Sequence, residues 1–419
     1  MAKMARVESL ADTDIVDLAR GRPCQQSSAC HWSAAPSPQV DAGHVVDGTI
    51  DRPDRDYANH TGEELLPWWQ VDLGTSYRID TVRLFNRRAY GERLTSFSIL
   101  ASLDQTNWVT IHKHDDGTVL GLGDEGTAIA IDCPNLARYV RVRMDGFGHL
   151  HLRAVQVFGH LPDPSDDAAL AALCADVAAK REAAIGGRNG RLASIGDVQV
   201  FVDHDRYSLP IVQALEGAGY ELPERKILYA SLRPQDRVLE IGTAVGVLSM
   251  TAASIVGPSN VMTYEANPYI LEDARRNFAI NDLSGIRSVN AVLQARAKMA
   301  NAPATMPFAL SQDFWASRLG ATIDEADIIA VVDIPTACLE DAIEAHRANF
   351  LVCDIEGGEA DLLLQADLSA IHTIVIETHY WAAGKQPISA LVRKFIEDGF
   401  DIDLDLSAYH VSCFRRALR

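Results

Sequence analysis

RVLEIGTAVG (residues 237–246) decides how the second half of this 419-residue chain folds. RVLEIG is short, apolar and rich in branched side chains, as a strand buried on both faces requires. The following TAVGVLSMTAASIV (243–256) reads as helical. Between strand and helix stand Gly242 and Gly246, where the chain can turn tightly and a ligand can approach without meeting a Cβ. The order is Glu240-x-Gly242-x-x-x-Gly246. A dinucleotide fingerprint would read G-x-G-x-x-G, so this turn carries no pyrophosphate cradle.

Outward from that turn the alternation continues. VMTYEA (261–266) predicts a second strand and YILEDARRNFAIND (269–282) a helix. Later strands are expected at SVNAVL (288–293), FLVCDIEG (350–357) and IHTIVIETH (371–379). Strands alternating with helices argue for an α/β, Rossmann-like, mostly parallel sheet. Such sheets bind ligands at the carboxyl ends of their strands. The second strand ends in Glu265, 25 residues after Glu240. A carboxylate there can accept both hydroxyl hydrogens of a ribose.

Upstream the pattern differs. Residues 18–160 read as all-β: WWQVDLG (68–74), IDTVRLFNR (79–87), LTSFSILAS (94–102), WVTIHK (108–113), ARYVRVRM (137–144) and AVQVFG (154–159) are short runs broken by Gly, Asp, Asn and Pro. Strands at this spacing predict a sandwich. LPDPSDD (161–167) stops structure, Ala-rich 168–184 favours helix, and GGRNG (186–190) is a flexible punctuation. The expected organisation is a lead-in (1–17), a β-sandwich (18–160), a connector (161–190) and an α/β domain (191–419).

The chain carries 57 acidic and 38 basic residues, a net charge of −19. Such a surface repels phosphate backbones and argues against a general nucleic-acid partner. Seven scattered cysteines without a C-x-x-C pair predict free thiols in a reducing compartment, Cys24 and Cys30 included. The amino-terminal stretch has no apolar core of a secretory signal, and no apolar run is long enough to span a bilayer. The expected location is cytoplasmic.

VLEIGTAVG (238–246), YEANP (264–268), RRNFAIND (275–282), VVDIPTACLED (331–341), CDIEGGEADLL (353–363) and IVIETHYW (374–381) resemble the class I methyltransferases, in particular the FkbM family. The resemblance spans about 195–415, and CDIEGGEADLL is its most specific element. It implies S-adenosylmethionine as cofactor. Glu240, Gly242 and Gly246 would line the methionine moiety and Glu265 would hold the ribose, with Thr243 and Asn267 also among the cofactor-binding residues. Where the family often has Asn, this chain has Ala244.

Methyl transfer from a sulfonium is an in-line displacement, so the protein must align the acceptor oxygen and remove its proton. The candidates are Asp354 and Glu356 on one strand and Glu377 and His379 on another. Strand alternation puts each pair on one side. His379 leads as proton acceptor because imidazole titrates near neutral pH. Asp354 and Glu356 could take that role, orient the acceptor, or hold a divalent cation through hard oxygen ligands. The structural alternative pairs Glu356 and Glu359 with Arg, or uses them as helix caps.

LARGRPCQQSSA (18–29), HVVDGTID (44–51), PWWQVDLG (67–74), FNRRAYGERLTSFSI (85–99) and AVQVFG resemble the discoidin or coagulation-factor C-type domains, with F-type lectins (fucolectins) as the nearest branch. The resemblance implies an eight-stranded jelly roll that grips fucose with a His and two Arg. Here His60, Arg87 and Arg93 match, the arginines falling 27 and 33 residues after the histidine. His and Arg supply fixed donors to sugar oxygens, and Trp68, Trp69 or Tyr90 could take the apolar methyl group. Ala89 replaces the family's Asp, the adjacent cysteine pair is missing, and of the calcium loop only Asp47 remains. PWW reads as core packing before it reads as a binding platform.

Three readings follow for the whole chain. It could O-methylate a sugar hydroxyl while the sandwich holds the glycan. It could methylate a non-sugar metabolite, with the sandwich as a protein-contact module. It could be a lectin joined to an inactive Rossmann-like domain.

Overall fold

The computed structural model describes residues 16–105, 108–131, 136–163, 179, 182–183, 185–217, 219–320, 323 and 325–416. All but the last two residues of the expected lead-in, and most of the Ala-rich helix, lie outside them. The chain divides into two compact units, Met1–Cys174 and Ala175–Arg419.

The first unit is built from β1 (Cys24–Gln26), β2 (Glu64–Leu65), β3 (Trp68–Asn86), β4 (Phe97–Ser102), β5 (Val109–His114), β6 (Thr127–Ala130), β7 (Leu136–Met144), β8 (Phe147–Gly148) and β9 (Leu152–His160). Two strands were expected over 68–87; one long, kinked strand forms. Its first part pairs with β1 and β7 and its last part with β6 and β9, and the β7 register shifts between Asp72 and Tyr77. Gly74 sits in that shift at φ +86°, a conformation glycine adopts without strain. The two parts of the strand thus pair with different neighbours within one seven-stranded sheet. Alternate residues Trp69, Val71 and Leu73 face the core beside Phe97, Ile99, Val140 and Val142. Trp69 is fully buried and donates Nε1–H to the Ala42 carbonyl at 2.9 Å, so it is core and no platform.

The second unit opens with a hairpin, β10 (Gly190–Ile195) and β11 (Val198–Asp203). Gly190, expected in the flexible connector, starts a strand. The unit continues with β12 (Val238–Ile241), β13 (Val261–Glu265), β14 (Arg287–Asn290), β15 (Val292–Gln294), β16 (Thr305–Ser311), β17 (Arg318–Leu319), β18 (Ile328–Cys338), β19 (Phe350–Cys353), β20 (Thr373–Glu377), β21 (Asp401–Ala408) and β22 (Val411–Arg415). The main sheet has the order β14-β13-β12-β19-β20-β22-β21. Its first five strands are parallel, and the last two form an antiparallel edge.

The period of two divides the core into two layers. Val238, Val261, Phe350, Val352 and Val375 face one cluster. Leu239, Ile241, Met262, Leu351, Cys353, Ile374 and Ile376 face the other. Helices Leu222–Ser231, Val247–Val256 and Pro268–Ile280 contribute to the first layer, and Leu339–His346 and Lys385–Glu397 to the second.

Three expected strands are shorter or divided. SVNAVL breaks at Ala291 into β14 and β15, which join different sheets. FLVCDIEG stops at Cys353, because Glu356 takes φ +54° and Gly357 φ +107°. IHTIVIETH stops at Glu377, leaving His379 as the residue before a short helix. Among the described residues no helix is long and apolar enough to cross a membrane.

Candidate functional site

Register places the functional row. Ile241 aligns with Tyr264 on one side and Cys353 on the other, and Cys353 aligns with Ile376. The next residue of each strand is therefore Glu265, Gly242, Asp354 and Glu377, in that order across the carboxyl edge. An open cleft lined by Ser231, Arg233, His372, Asp403 and Arg415 lies at the opposite, amino end of β20.

The turn after β12 runs through the left-handed region, which its two glycines adopt without strain and Ala244 does not. Gly242, Ala244 and Gly246 take φ of +93°, +45° and +89°. A Cβ on Gly242 would lie 1.7 Å from the Asp354 carbonyl oxygen, and one on Gly246 would lie 2.5 Å from the Phe278 ring. Ala244 holds its unfavourable conformation because its N–H donates to Glu265 Oε2 at 3.0 Å. Outliers of this kind persist where surrounding contacts over-determine them, and they cluster at ligand sites.

Glu240 is 1% exposed. One carboxylate oxygen accepts from the Ser249 hydroxyl; Oε1 has no hydrogen-bond partner among the described residues. Burial pushes this carboxyl up to about 7, against the pull of Ser249 and Thr263. Burial also raises Glu265, although the N–H groups of Asn267 and Ala244 hold it down. An orphaned buried carboxylate oxygen, a glycine-lined turn and a second carboxylate at the next strand end fit a cationic methyl donor that bears a ribose.

Two expected cofactor residues have other duties. The Asn267 side chain caps the helix Pro268–Ile280, accepting from Tyr269 N at 3.1 Å and Ile270 N at 3.3 Å. Thr243 is buried, its hydroxyl 2.5 Å from that of Thr263.

Asp354, Glu356, Glu377 and His379 converge, but through turns rather than by strand alternation. His379 is 3% exposed at its side chain. Its Nδ1 lies 2.6 Å from Oε1 of Glu359, which is fully buried and also accepts from Gly357 N at 2.9 Å. Its Nε2 faces Glu356 at 3.2 Å, Asp354 at 3.7 Å and Glu377 at 3.9 Å. Burial alone would favour neutral imidazole. The Glu359 hydrogen bond and the charges of Asp354 and Glu356 outweigh it and lift His379 to about 9. Burial, then the Glu377 charge, raises Asp354 well above the usual carboxylate range. Burial takes Glu356 to about 7. The neutral-pH titration expected of His379 is thus displaced upward by its neighbours.

Two residues here were missed in the sequence. Glu359, taken only as a structural pair, orients the imidazole. Glu224, in the first turn of Leu222–Ser231, is 5% exposed with no hydrogen-bond partner for Oε2 among the described residues, and faces Glu377 and His379; burial pushes it up to about 7. A lone Glu beside a proline carries no sequence signal for that position.

In the first unit His60, Arg87 and Arg93 also come together. His60 is buried, its Nδ1 2.8 Å from the Thr61 carbonyl, which makes Nδ1 the donor. Arg87 Nε donates to Asp56 at 2.9 Å, and its guanidinium lies 4.6 Å from the Tyr57 ring and 5.0 Å from that of Tyr90. Arg93 lies 4.7 Å over Tyr90. Burial, then the charges of His149, Arg87 and Arg93, depresses His60. Asp56 accepts from both Arg87 Nε and the Ala89 N–H. Asp47 is engaged by Arg52 at 2.7 Å and by Thr49 N. Cys24 and Cys30 are free thiols.

A galactose-binding-type β-sandwich and a methyltransferase are the two classes these folds and sites define. Residues 44–142 match the NedA-like, galactose-binding domain of F5/F8 type C, and residues 240–402 match the methyltransferase FkbM domain. The chain thus combines an F5/F8 type C domain with an FkbM methyltransferase domain. Fucolectin-6 of Anguilla japonica is 29% identical over 153 residues, covering 34% of this chain and 80% of that protein. Ribosomal protein L11 methyltransferase of Bacillus cereus is 36% identical over 64 residues, 15% of this chain and only 20% of that protein. Among solved structures, the lectin domain of lectinolysin complexed with Lewis B antigen is 29% identical and covers 34% of this chain and 96% of that chain, with a TM-score of 0.29. The methyltransferase domain implies S-adenosylmethionine as its cofactor.

Proposed function

We propose that this chain is an S-adenosylmethionine-dependent O-methyltransferase acting on a sugar hydroxyl, with a fucose-like or related sugar held by the β-sandwich. The observation that carries it is the row Glu265–Gly242–Asp354–Glu377, which sets a cofactor turn beside a buried imidazole facing three carboxylates. Glu240 and Glu265 would hold the cofactor, at the methionine moiety and the ribose respectively. When bound, S-adenosylmethionine supplies an electrophilic methyl group on a sulfonium sulfur.

The remaining work falls to this chain's own groups. Glu359 fixes the His379 ring, so that Nε2 points at the row. His379 with Asp354 and Glu356 forms a proton-accepting set for the incoming hydroxyl. Any positive charge entering the site lowers the His379 value and readies the set to accept a proton. On the sandwich, His60 Nε2, Arg87 and Arg93 would grip sugar oxygens, and Tyr90 offers an apolar face, being 52% exposed.

His379→Ala and Asp354→Ala test the assignment. Each should lower S-adenosylhomocysteine release by about 100-fold, the usual scale for a lost acid–base group. Wild-type turnover in both would defeat it. A second reading has its own observation: Asp354, Glu377 and His379 each place a ligand atom within 4.8 Å of the others. Glu359 on the far ring nitrogen is also how a metal-bound imidazole is oriented. Activity surviving exhaustive dialysis against a chelator removes a required divalent cation.

A further inference from the structure

Beside His379 the surface is aromatic. Trp381 is 58% exposed, Tyr380 38% and Tyr409 97%. The Trp381 ring lies 5.1 Å from His379 and 4.9 Å from His410, edge-on to both. Tyr380 lies 5.2 Å from Trp381 and 5.4 Å from His410. Two segments meet to make this lip. The His410 carbonyl at the β21–β22 tip accepts from Thr378 N at 2.9 Å and from the Thr378 hydroxyl at 3.1 Å. The His379 carbonyl accepts from Ala382 N and Ala383 N, winding Tyr380–Ala383 tightly against the row. Gly357 closes the other side: a Cβ there would lie 2.7 Å from that of Ala382. The Glu356 turn and the Trp381 turn are therefore in direct contact.

Leaving a tryptophan face in water forgoes the burial its large apolar surface would gain. Exposed apolar patches beside polar groups mark binding surfaces. The chemistry within reach narrows the occupant. Glu356, Asp354 and Glu377 gather acceptor oxygens 3.2, 3.7 and 3.9 Å from His379 Nε2, next to the Trp381 ring. Such a set asks for several hydroxyl donors close to one flat apolar face. A pyranose has both, because its axial C–H bonds form a face and its equatorial hydroxyls form a rim. A flat aryl acceptor offers one or two donors and leaves carboxylates unmatched. A uronic acid would add a further negative charge.

We propose that Trp381, with Tyr380 and His410 behind it, is the acceptor platform of the methyltransferase unit. A neutral pyranose ring lies against it with one hydroxyl at His379 Nε2. This rests on the sugar O-methyltransferase reading and adds a carbohydrate site separate from the sandwich's own.

The test uses the full chain with a panel of methyl pyranosides, among them methyl α-L-fucopyranoside, methyl β-D-galactopyranoside and a methyl glucuronide. Trp381→Ala should raise KM for the best substrate about tenfold, the value of one aromatic contact. Its kcat should stay within about threefold. Trp381→Phe should restore most of the loss, and calorimetry should give unchanged S-adenosylmethionine affinity in both variants. Unchanged KM in Trp381→Ala, or a fall in kcat alone, overturns the platform. Turnover of the glucuronide equal to that of the neutral sugars overturns the choice of a neutral ring. If the wild type binds S-adenosylmethionine but methylates no pyranoside, the sugar reading itself fails, and the platform with it.

Discussion

His151 should make the β-sandwich unit sensitive to mild acid. The side chain is 2% exposed, and neither ring nitrogen has a hydrogen-bond partner among the described residues. The charged or titratable groups facing it are His60, its ring 5.2 Å away, and Arg87 and Arg93. Burial, then the positive charges of His60 and Arg87, lowers its pKa to about 3. In the unfolded chain it titrates near 6.5. A folded value below the unfolded one means that protons bind the unfolded state more tightly. Stability is therefore complete above pH 6.5 and falls as pH drops from 6.5 towards 3. At pH 5 the unfolded state gains about 1.5 units of protonation free energy, or about 2 kcal/mol. His60 adds to this in the same direction. The assay is urea unfolding at pH 7.5 and 5.0 at equal ionic strength, for the wild type and His151→Leu. Leucine fills similar space and cannot take a proton. The difference between the two pH values should be about 2 kcal/mol smaller in the variant. The second unit's carboxylates titrate identically in both proteins and cancel. Equal acid sensitivity in wild type and variant would refute the reasoning.

Further outcomes follow from the same geometry. Gly242→Ala puts a Cβ 1.7 Å from the Asp354 carbonyl oxygen at φ +93°, so calorimetry should show at least about tenfold weaker binding of S-adenosylmethionine. Glu359→Gln removes the charge that orients His379 and should lower kcat by about 10- to 100-fold with cofactor affinity intact; unchanged kcat would mean the pair only packs. Arg87→Ala combined with Arg93→Ala should raise KM on a long glycan, leave kcat nearly unchanged, and spare a free monosaccharide.

Much of this was legible in the sequence, for identifiable reasons. Buried parallel strands write themselves as apolar runs, so RVLEIG and VMTYEA gave β12 and β13 within a residue or two. The residues of the two candidate clusters were named from the family resemblance and from strand-end position, and the structure brings His60 near Arg87 and Arg93, and Asp354 near His379. What failed was geometry set by backbone turns. Left-handed Glu356 and Gly357 end β19 early, and no alternation rule anticipates a positive φ at glutamate. The break at Ala291 depends on β18, whose Thr336 pairs with Val292 across 44 residues and offers β15 a separate sheet. Residues defined by tertiary contact were invisible. Asp56 reaches Arg87 across 31 residues and Glu359 reaches His379 across 20, and neither carries a local mark. Asn267, beside the cofactor motif, also caps the helix that follows, a duty its position before Pro268 allows but the cofactor reading did not include.

The central claim is transfer of a methyl group to a sugar oxygen. Its most direct test is incubation of the full chain with methyl-labelled S-adenosylmethionine and a panel of fucosylated and galactosylated glycans, followed by mapping of the labelled atom. The account predicts label on a hydroxyl oxygen of a pyranose ring, accumulating about 100-fold more slowly in Asp354→Ala. Label on nitrogen or carbon, or cofactor binding with no transfer to any glycan, would contradict it.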